Sequence, residues 1–442
     1  MSRIVVRLLV TLFFFTMPGQ AAADIVTDWN FIAEQVVPRF GGPQQQSRVQ
    51  AMVQIAVHDA LNAIVQRYDR YAYFGVVNPA ASPDAAVAAA ARQTLLGQLA
   101  TVPDSALKTA AIATVENAYA ASVGPVPHDA ATQAGIDAGD AAAAAILALR
   151  IGDGSDTPHL PYTLLPAPGV YQPTPNPEFP AAIVPSFAGW ANVTTFVLNH
   201  SSQFEVEPGA LLDVLGPAYT SNYNEVKQLG DARVRGALPD SEESDIARFW
   251  PGGGSNWNFT TRVIVSGMTL DRWEHARLFA LLNLGQADAL IANQKWKYTY
   301  NFWRPVTAIR WPDDGNPDTA SDPVWRPFIV TPPYPDYPCA LPTSAGAGTE
   351  VLRQYFGTDN VPFSRTFNAP AVPLPAPMAA LPAKLITRSF TSLSAAAADA
   401  INARVYGGMH FREGCGAGVK QGTQIARFVV GHALQPVKGE KK

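Results

Sequence analysis

Apolar residues recur at helical spacing along most of the chain. In 47–65, Val49, Met52, Val53, Ala56, Val57, Ala60, Leu61 and Ile64 follow an i, i+3, i+4 rhythm, which predicts an amphipathic helix. Ser47 with Gln50 three residues later reads as its capping box. Ala-rich stretches at 84–100, 104–122 and 128–150 repeat the pattern. Asp271 with Glu274 opens another helix, running through Trp273, Leu278, Leu281 and Leu284 to about Asn293. Further helices are predicted at 343–356, 394–406 and about 415–431. Strand-like alternation is scarce, so the predicted fold class is all-α, a helical bundle.

Two proline clusters interrupt the pattern, at 157–180 and 370–382. Proline removes a backbone donor and stops helices, so both are predicted as extended loops around a helical body. One helical domain over 24–434 is the preferred organisation, followed by a disordered tail at 435–442. The N-terminus reads as an export signal over 1–23. Arg3 and Arg7 supply the charge, Leu8 to Phe15 a short apolar run, and Ala21–Ala23 small residues for cleavage. The run is short for a bilayer span, and no later segment is long and apolar enough for one. The expected location is therefore secreted or periplasmic.

The 442 residues are 48% hydrophobic, ample for a large core, and the formal charge of -4 gives no reason to expect a nucleic-acid partner. The two cysteines, Cys339 and Cys415, form no C-x-x-C pattern. In an oxidising compartment they can pair, and such a disulfide would tie together two of the segments discussed next; two buried free thiols are the alternative.

Those segments lie within about 264–432. Lys297–Pro305 reads K-x6-R-P, Tyr337–Thr343 reads YPCALPT, and Arg404–His410 reads R-x3-G-x-H. Arg304 and Arg404 offer forked N–H donors and Lys297 a compact charge, a set suited to a phosphate-like oxyanion. Any one of these arginines alone would more often be a surface ion pair, as expected of Arg310 and Arg353, so the set carries the reading. Pro338–Thr343 leads into a helix, whose free amides at Cys339, Ala340 and Leu341 favour an anion. Gly407 and Gly408 end a helix and allow close backbone approach before His410, and Gly408 is counted with the anion site. His58 and His275 read as structural histidines, and His128, His159, His200 and His432 lie at loops or element edges.

The three segments resemble the superfamily that joins vanadium-dependent haloperoxidases and type-2 phosphatidic acid phosphatases. Its pattern is K-x6-R-P, then P-S-G-H, then S-R-x3-G-x-H. The strings YNFWRPVTAIR from Tyr300, DIVTDWNFIAEQVV from Asp24 and MVQIAVHDALNAI from Met52 are similar to the bacterial haloperoxidase-like branch. The resemblance implies a helical fold with a buried anion site, vanadate or phosphate as its ligand, and peroxide with halide, or a phosphate ester, as substrates. It implies that His410 bonds vanadium in a haloperoxidase or attacks phosphorus in a phosphatase, with Lys297, Arg304 and Arg404 neutralising the oxygens. This chain departs at the second segment, where Cys339, Ala340 and Leu341 replace serine, glycine and histidine, and at Ala403, which replaces the serine of the third. Leucine cannot move a proton. Three functions stay open: an exported haloperoxidase-like enzyme, an acid phosphatase working through a phosphohistidine, and a catalytically impaired oxyanion-binding descendant.

Overall fold

The computed structural model describes residues 24–437 apart from 126, 128, 159–160, 174–184 and 251–254; the expected export signal, His128, His159 and the end of the tail lie outside the described residues. Helices dominate, as the periodicity predicts. The first group is α1 (Ile25–Val36), α2 (Pro43–Asn62), α3 (Pro83–Leu99), α4 (Ala106–Val123) and α5 (Ala130–Leu149). Four shorter helices follow, α6 (Pro217–Leu229), α7 (Ala232–Ala237), α8 (Glu242–Phe249) and α9 (Ser255–Val265). The last group is α10 (Arg272–Tyr300), α11 (Pro305–Arg310), α12 (Ala340–Phe356), α13 (Leu393–Tyr406) and α14 (Arg412–His432). No described helix is long and apolar enough to cross a membrane.

Helix α10 is the spine. It packs on α2 on one side and on α12 and α14 on another, so the early and late groups share it as a wall. Its start has the predicted capping box: Asp271 accepts from the amides of Trp273 and Glu274, and the Glu274 carboxylate accepts the Asp271 amide at 2.8 Å. Its interior is buried almost all round, from Ala276 through Trp296. One buried residue there is charged: Asp288 accepts from the amides of Phe196, Val197 and Leu198 at 2.6, 2.8 and 2.9 Å. A carboxylate can be buried when its lone pairs are met this way, and here it pins a loop of the middle segment to the spine.

Several expectations need correcting. Helix α2 starts at Pro43, whose fixed φ suits a first turn, and the cap is Gln45 Oε1 accepting the Gly42 amide at 2.9 Å. Ser47 and Gln50 are buried inside it. Helix α10 continues beyond Asn293 to Tyr300, and α12 starts at Ala340. The proline cluster at 370–382 does not wrap the body: it joins the strands of a hairpin, β1 (Phe363–Ala369) antiparallel to β2 (Lys384–Phe390), with Phe363 opposite Phe390 and Val372 bridging to Leu381. Proline is tolerated there because a connection needs few ladder donors. The tail is ordered through Val437: Pro436 bridges to Tyr68, and the Val437 amide donates to the Arg67 carbonyl at 3.0 Å.

The first proline cluster remains irregular where it is described, and it braces the segment leading to Arg304. The Tyr171 amide donates to the Asn301 carbonyl at 2.7 Å, and the Trp303 amide to the Gly169 carbonyl at 3.0 Å.

Candidate active site

Lys297 lies in the last turn of α10. The helix closes at Asn301, which takes a left-handed conformation (φ +48°) while its amide donates to the Lys297 carbonyl at 2.8 Å. Asparagine tolerates that conformation, so the chain reverses there and Arg304 becomes the N-cap of α11, with Pro305 as its first residue. Arg404 sits in the last turn of α13. Gly407 caps that helix, and Gly408 turns the chain at φ +71°, where an added Cβ would stand 2.4 Å from the Gly230 carbonyl oxygen. Only glycine passes there without strain, and the turn delivers His410 into the core.

The four predicted residues fall into one buried neighbourhood. Lys297 and Arg304 have no exposed surface, His410 is 1% exposed and Arg404 9%. Arg304 Nη1 lies 2.7 Å from His410 Nε2 and donates to the Met409 carbonyl at 2.9 Å, while its Nε donates to the Tyr334 carbonyl at 2.6 Å. Lys297 Nζ donates to the carbonyls of Pro335 and Asp336, both at 2.8 Å. The Tyr334 ring spans both cations, its centroid 4.9 Å from the Arg304 guanidinium and 5.2 Å from the Lys297 ammonium. Burial, reinforced by Arg304, pulls Lys297 down to about 7. Burial and then Arg304, Lys297 and Arg404 hold His410 well below its ordinary value, so its ring is neutral. Guanidinium only donates, so His410 Nε2 accepts from Arg304 and the ring proton resides on Nδ1. That hydrogen bond engages the Nε2 lone pair, so ligation or nucleophilic attack through Nε2 requires the Arg304 N–H to turn away from it.

Sequence reasoning overlooked Asp336. Its carboxylate is fully buried, with Oδ1 2.8 Å from His410 Nδ1 and 3.9 Å from Arg304 Nη1. The Phe411 amide donates to the carboxylate, and the His410 Nδ1–H lies within reach of Oδ1. Burial pushes the group up to about 7 against the pull of Arg304 and Lys297. The signal available was an acidic letter two places before Pro338; nothing in its spacing marked it as inward-facing.

The second segment contributes less than predicted. Cys339 is the N-cap of α12, but its amide donates to the Gly414 carbonyl at 2.9 Å, and the Gly408 amide donates to the Val405 carbonyl at 2.9 Å. Neither amide is left for an anion, whereas Ala340 and Leu341 stand in the first turn, where amides have no acceptor within the helix. Of the two alternatives for the cysteines, the structure has the free thiols and not the disulfide. Cys339 and Cys415 are free and buried, their thiols in hydrogen-bond contact. Burial raises Cys415 well above the ordinary thiol value; for Cys339 the hydrogen bond from Cys415, with Arg404 and Lys297, outweighs burial and lowers it. His58 and His275 have partners of their own, Asp59 and Asn62 for the first and Asp24 for the second.

Counting donors tests whether an oxyanion suits the site. Lys297 has spent two of its three N–H groups on carbonyls. Arg304 Nη2 and Arg404 Nε are buried without a partner, and among the described residues the Arg404 guanidinium has no hydrogen-bond or ion-pair partner at all. Unpaired buried donors are costly, and these are cationic. A cavity of about 190 Å³ reaches Arg404 between Tyr334, Ala340, Leu341, Ser344 and Met409. The donor set fits a tetrahedral oxyanion. Leu341 faces the cavity, so the position lacking the expected histidine is on its wall.

Two family models match the chain. Residues 23–192 match the vanadium chloroperoxidase N-terminal domain, and residues 277–439 match the second helical-bundle domain of the same enzymes. The chain belongs to the vanadium haloperoxidase superfamily. A curated member, vanadium chloroperoxidase of Curvularia inaequalis, is 26% identical over 245 residues, which are 43% of this chain and only 38% of that relative. In fold, the chain is similar to a bacterial vanadium-dependent iodoperoxidase (TM-score 0.74, 22% identity, covering 94% of this chain and 97% of that one). It is also similar to a holo-type bacterial vanadium-dependent chloroperoxidase (TM-score 0.67, 15% identity, covering 94% and 93%). These haloperoxidase neighbours agree with the all-α architecture; only the proximity of Lys297, Arg304, Arg404 and His410 is read from the geometry of this chain.

Proposed function

We propose that this chain is a haloperoxidase-type enzyme that holds vanadate among Lys297, Arg304, Arg404 and His410 and oxidises halide with hydrogen peroxide, its turnover limited by Leu341. One observation carries the reading: unpartnered cationic donors of Arg304 and Arg404 are buried beside a neutral histidine whose Nε2 lone pair faces a guanidinium. Bound vanadate would supply the Lewis acid that polarises peroxide. The protein's part is electrostatic and positional. The guanidinium groups and the ammonium are fixed in advance where negative charge must be held, and burial makes each contact stronger than in water. The Tyr334 ring and the aliphatic wall exclude water. Among the residues lining the cavity, no side chain replaces the acid–base group that the family pattern places at 341.

Nothing in the site specifically favours ester hydrolysis, since an alcohol leaving group would need the same missing proton donor. The charged, apolar and small-residue order of the first 23 residues supports action outside the cytoplasm.

The test is calorimetric titration of the purified mature chain with orthovanadate, followed by bromide oxidation with peroxide. Binding at a single site, lost in His410→Ala and Arg404→Ala, with slow bromide turnover, is expected. Absence of vanadate binding refutes the proposal; binding without turnover would make the chain an oxyanion-binding descendant.

A further inference from the structure

The haloperoxidase reading leaves a second cavity without a role. It measures about 290 Å³, close to the lower end of small-molecule sites, and lies between α8, the 328–330 segment and the turn of the β1–β2 hairpin. We propose that this cavity binds a small aromatic carboxylate through Arg248 and presents it as the acceptor of the halogen oxidised next door. The binding site stands on its own observations; the acceptor role rests on the haloperoxidase reading and deepens it.

The charge of the ligand follows from Arg248, which lines the cavity and is 3% exposed. Its Nη2 donates to the carbonyls of Pro370 and Pro382, which ties α8 to both ends of the hairpin turn. Its Nε is buried with no partner. The carboxylates whose charge reaches it, Asp245 and Asp240, are bound by Lys384 Nζ at 2.8 and 2.9 Å. A guanidinium keeps its proton, so the cavity is bordered by a buried cation with a donor to spare, and an anion meets both needs. The body of the ligand follows from the rest of the lining. Ala247, Phe328 and Val372 form a buried floor, and Ala371 and Pro373 an exposed rim. Inorganic phosphate or sulfate would leave that apolar surface uncovered, whereas a ring covers it and has little conformational freedom to lose.

The acceptor role follows from adjacency. Ile329 and Val330 line both this cavity and the oxyanion cavity, so two side chains divide the ring from the oxidant. The partition is fixed: the Phe328 amide donates to the Gly230 carbonyl at 3.0 Å and the Ile329 amide to the Gly407 carbonyl at 2.9 Å, on the turn that delivers His410. Peroxide oxidises bromide by two electrons to hypobromous acid. A carbon of an electron-rich ring then takes the bromine: the C–Br bond forms, the O–Br bond breaks, and the departing hydroxide leaves as water with the ring proton.

The experiment is calorimetric titration of the full mature chain with sodium 4-hydroxybenzoate and with its uncharged counterpart 4-hydroxybenzamide, with and without saturating orthovanadate. A single site is expected, at least ~10-fold tighter for the carboxylate, the scale of one hydrogen bond to a charged group, and unaffected by orthovanadate. Arg248→Met should abolish that preference, and Ala371→Trp should weaken both ligands at least ~10-fold by occupying the cavity. No binding by the wild-type chain, equal affinity for the two ligands, or displacement by orthovanadate overturns the proposal. If Arg248→Met does not fold by circular dichroism, Ala371→Trp decides, and unchanged affinity there overturns the site. For the acceptor role, the vanadate-loaded chain brominating an equimolar mixture should favour the carboxylate beyond the ratio given by added hypobromite, which meets both compounds in solution. Equal ratios remove the acceptor role and leave the binding site. If orthovanadate does not bind, the haloperoxidase reading fails and takes the acceptor role with it, while the carboxylate titration still decides the site.

Discussion

Leu341→His is the sharpest probe of catalysis. Leu341 occupies the first turn of α12 and shares the cavity wall with Arg404, Tyr334, Ser344 and Met409. Leucine and histidine differ little in volume, and Leu341 is only partly buried, so the packing loss is about 1 kcal/mol, a fraction of that for full burial. The introduced imidazole would sit near the positive end of a helix and near Arg404, and both disfavour its protonated form. It would therefore be neutral around pH 7 and able to take a proton and return it. Positioned acid–base catalysis is worth roughly 10²–10⁴-fold, or about 3–5 kcal/mol off the barrier. The expected result is a rise of at least ~100-fold in kcat for bromide oxidation by vanadate-loaded protein, with vanadate affinity changed by less than tenfold. Leu341→Gln is the control: it adds polarity at similar volume without proton transfer and should leave kcat within about tenfold of wild type. Equal rates for the two variants, or no gain in Leu341→His, would show that position 341 does not face the reacting oxygens, and the explanation of slow turnover would fall.

Two further outcomes follow from other buried charges. Sulfate keeps its charge throughout the neutral range, so its binding reports the protein alone; below about pH 7 Asp336 is protonated and Lys297 charged, above it Asp336 is charged and Lys297 neutral, and both changes make sulfate affinity fall as pH rises through about 7 in calorimetric titrations. A flat profile between pH 6 and 8 would mean that neither group meets the anion. Asp288→Asn replaces a carboxylate that accepts three backbone amides by an amide with one acceptor oxygen; with roughly 1.5–3 kcal/mol for each hydrogen bond to a charged group, partly recovered by the new oxygen, denaturant unfolding should show a loss of about 3 kcal/mol or more, and a loss below about 1 kcal/mol would contradict the anchoring role of Asp288.

How much of this was legible in the sequence depends on how local the physics is. Helix periodicity and the Asp271–Glu274 cap are contacts between neighbours in the chain, and they were read correctly. The K-x6-R-P spacing was legible for a similar reason. It spans one helix end, a left-handed reversal at Asn301 and the start of the next helix, so seven residues suffice to bring Lys297 and Arg304 to the same centre. The capping box assigned to Ser47 and Gln50 failed because an equally local alternative, Pro43 with Gln45, lay upstream and starts the helix earlier. The hairpin around 370–382 was missed because proline clusters look alike whether they wrap a domain or join two strands; the pairing of Phe363 with Phe390 is set by residues 27 apart.

The misread parts of the site share one cause. A motif records which residue types occur at fixed spacing, and it carries no account of where their hydrogen bonds are spent. The K-x6-R-P spacing did not show that two of the three Lys297 donors hold the carbonyls of Pro335 and Asp336, which leaves one for an anion. Those bonds also place Asp336: by gripping the carbonyls on either side of its Cα, the lysine fixes the residue whose carboxylate then stands beside His410. The cysteines were left open as a disulfide or as two buried thiols, and the fold holds them as adjacent thiols among charged groups. Charge balance ties these points together. Two guanidinium groups and an ammonium, buried with a neutral histidine, would be untenable without counter-charge, and among the described residues only Asp336 comes within ion-pair reach of Arg304. The positive excess left over is carried by Arg304 Nη2 and Arg404, whose donors lack protein partners. An anion therefore completes the site rather than decorating it.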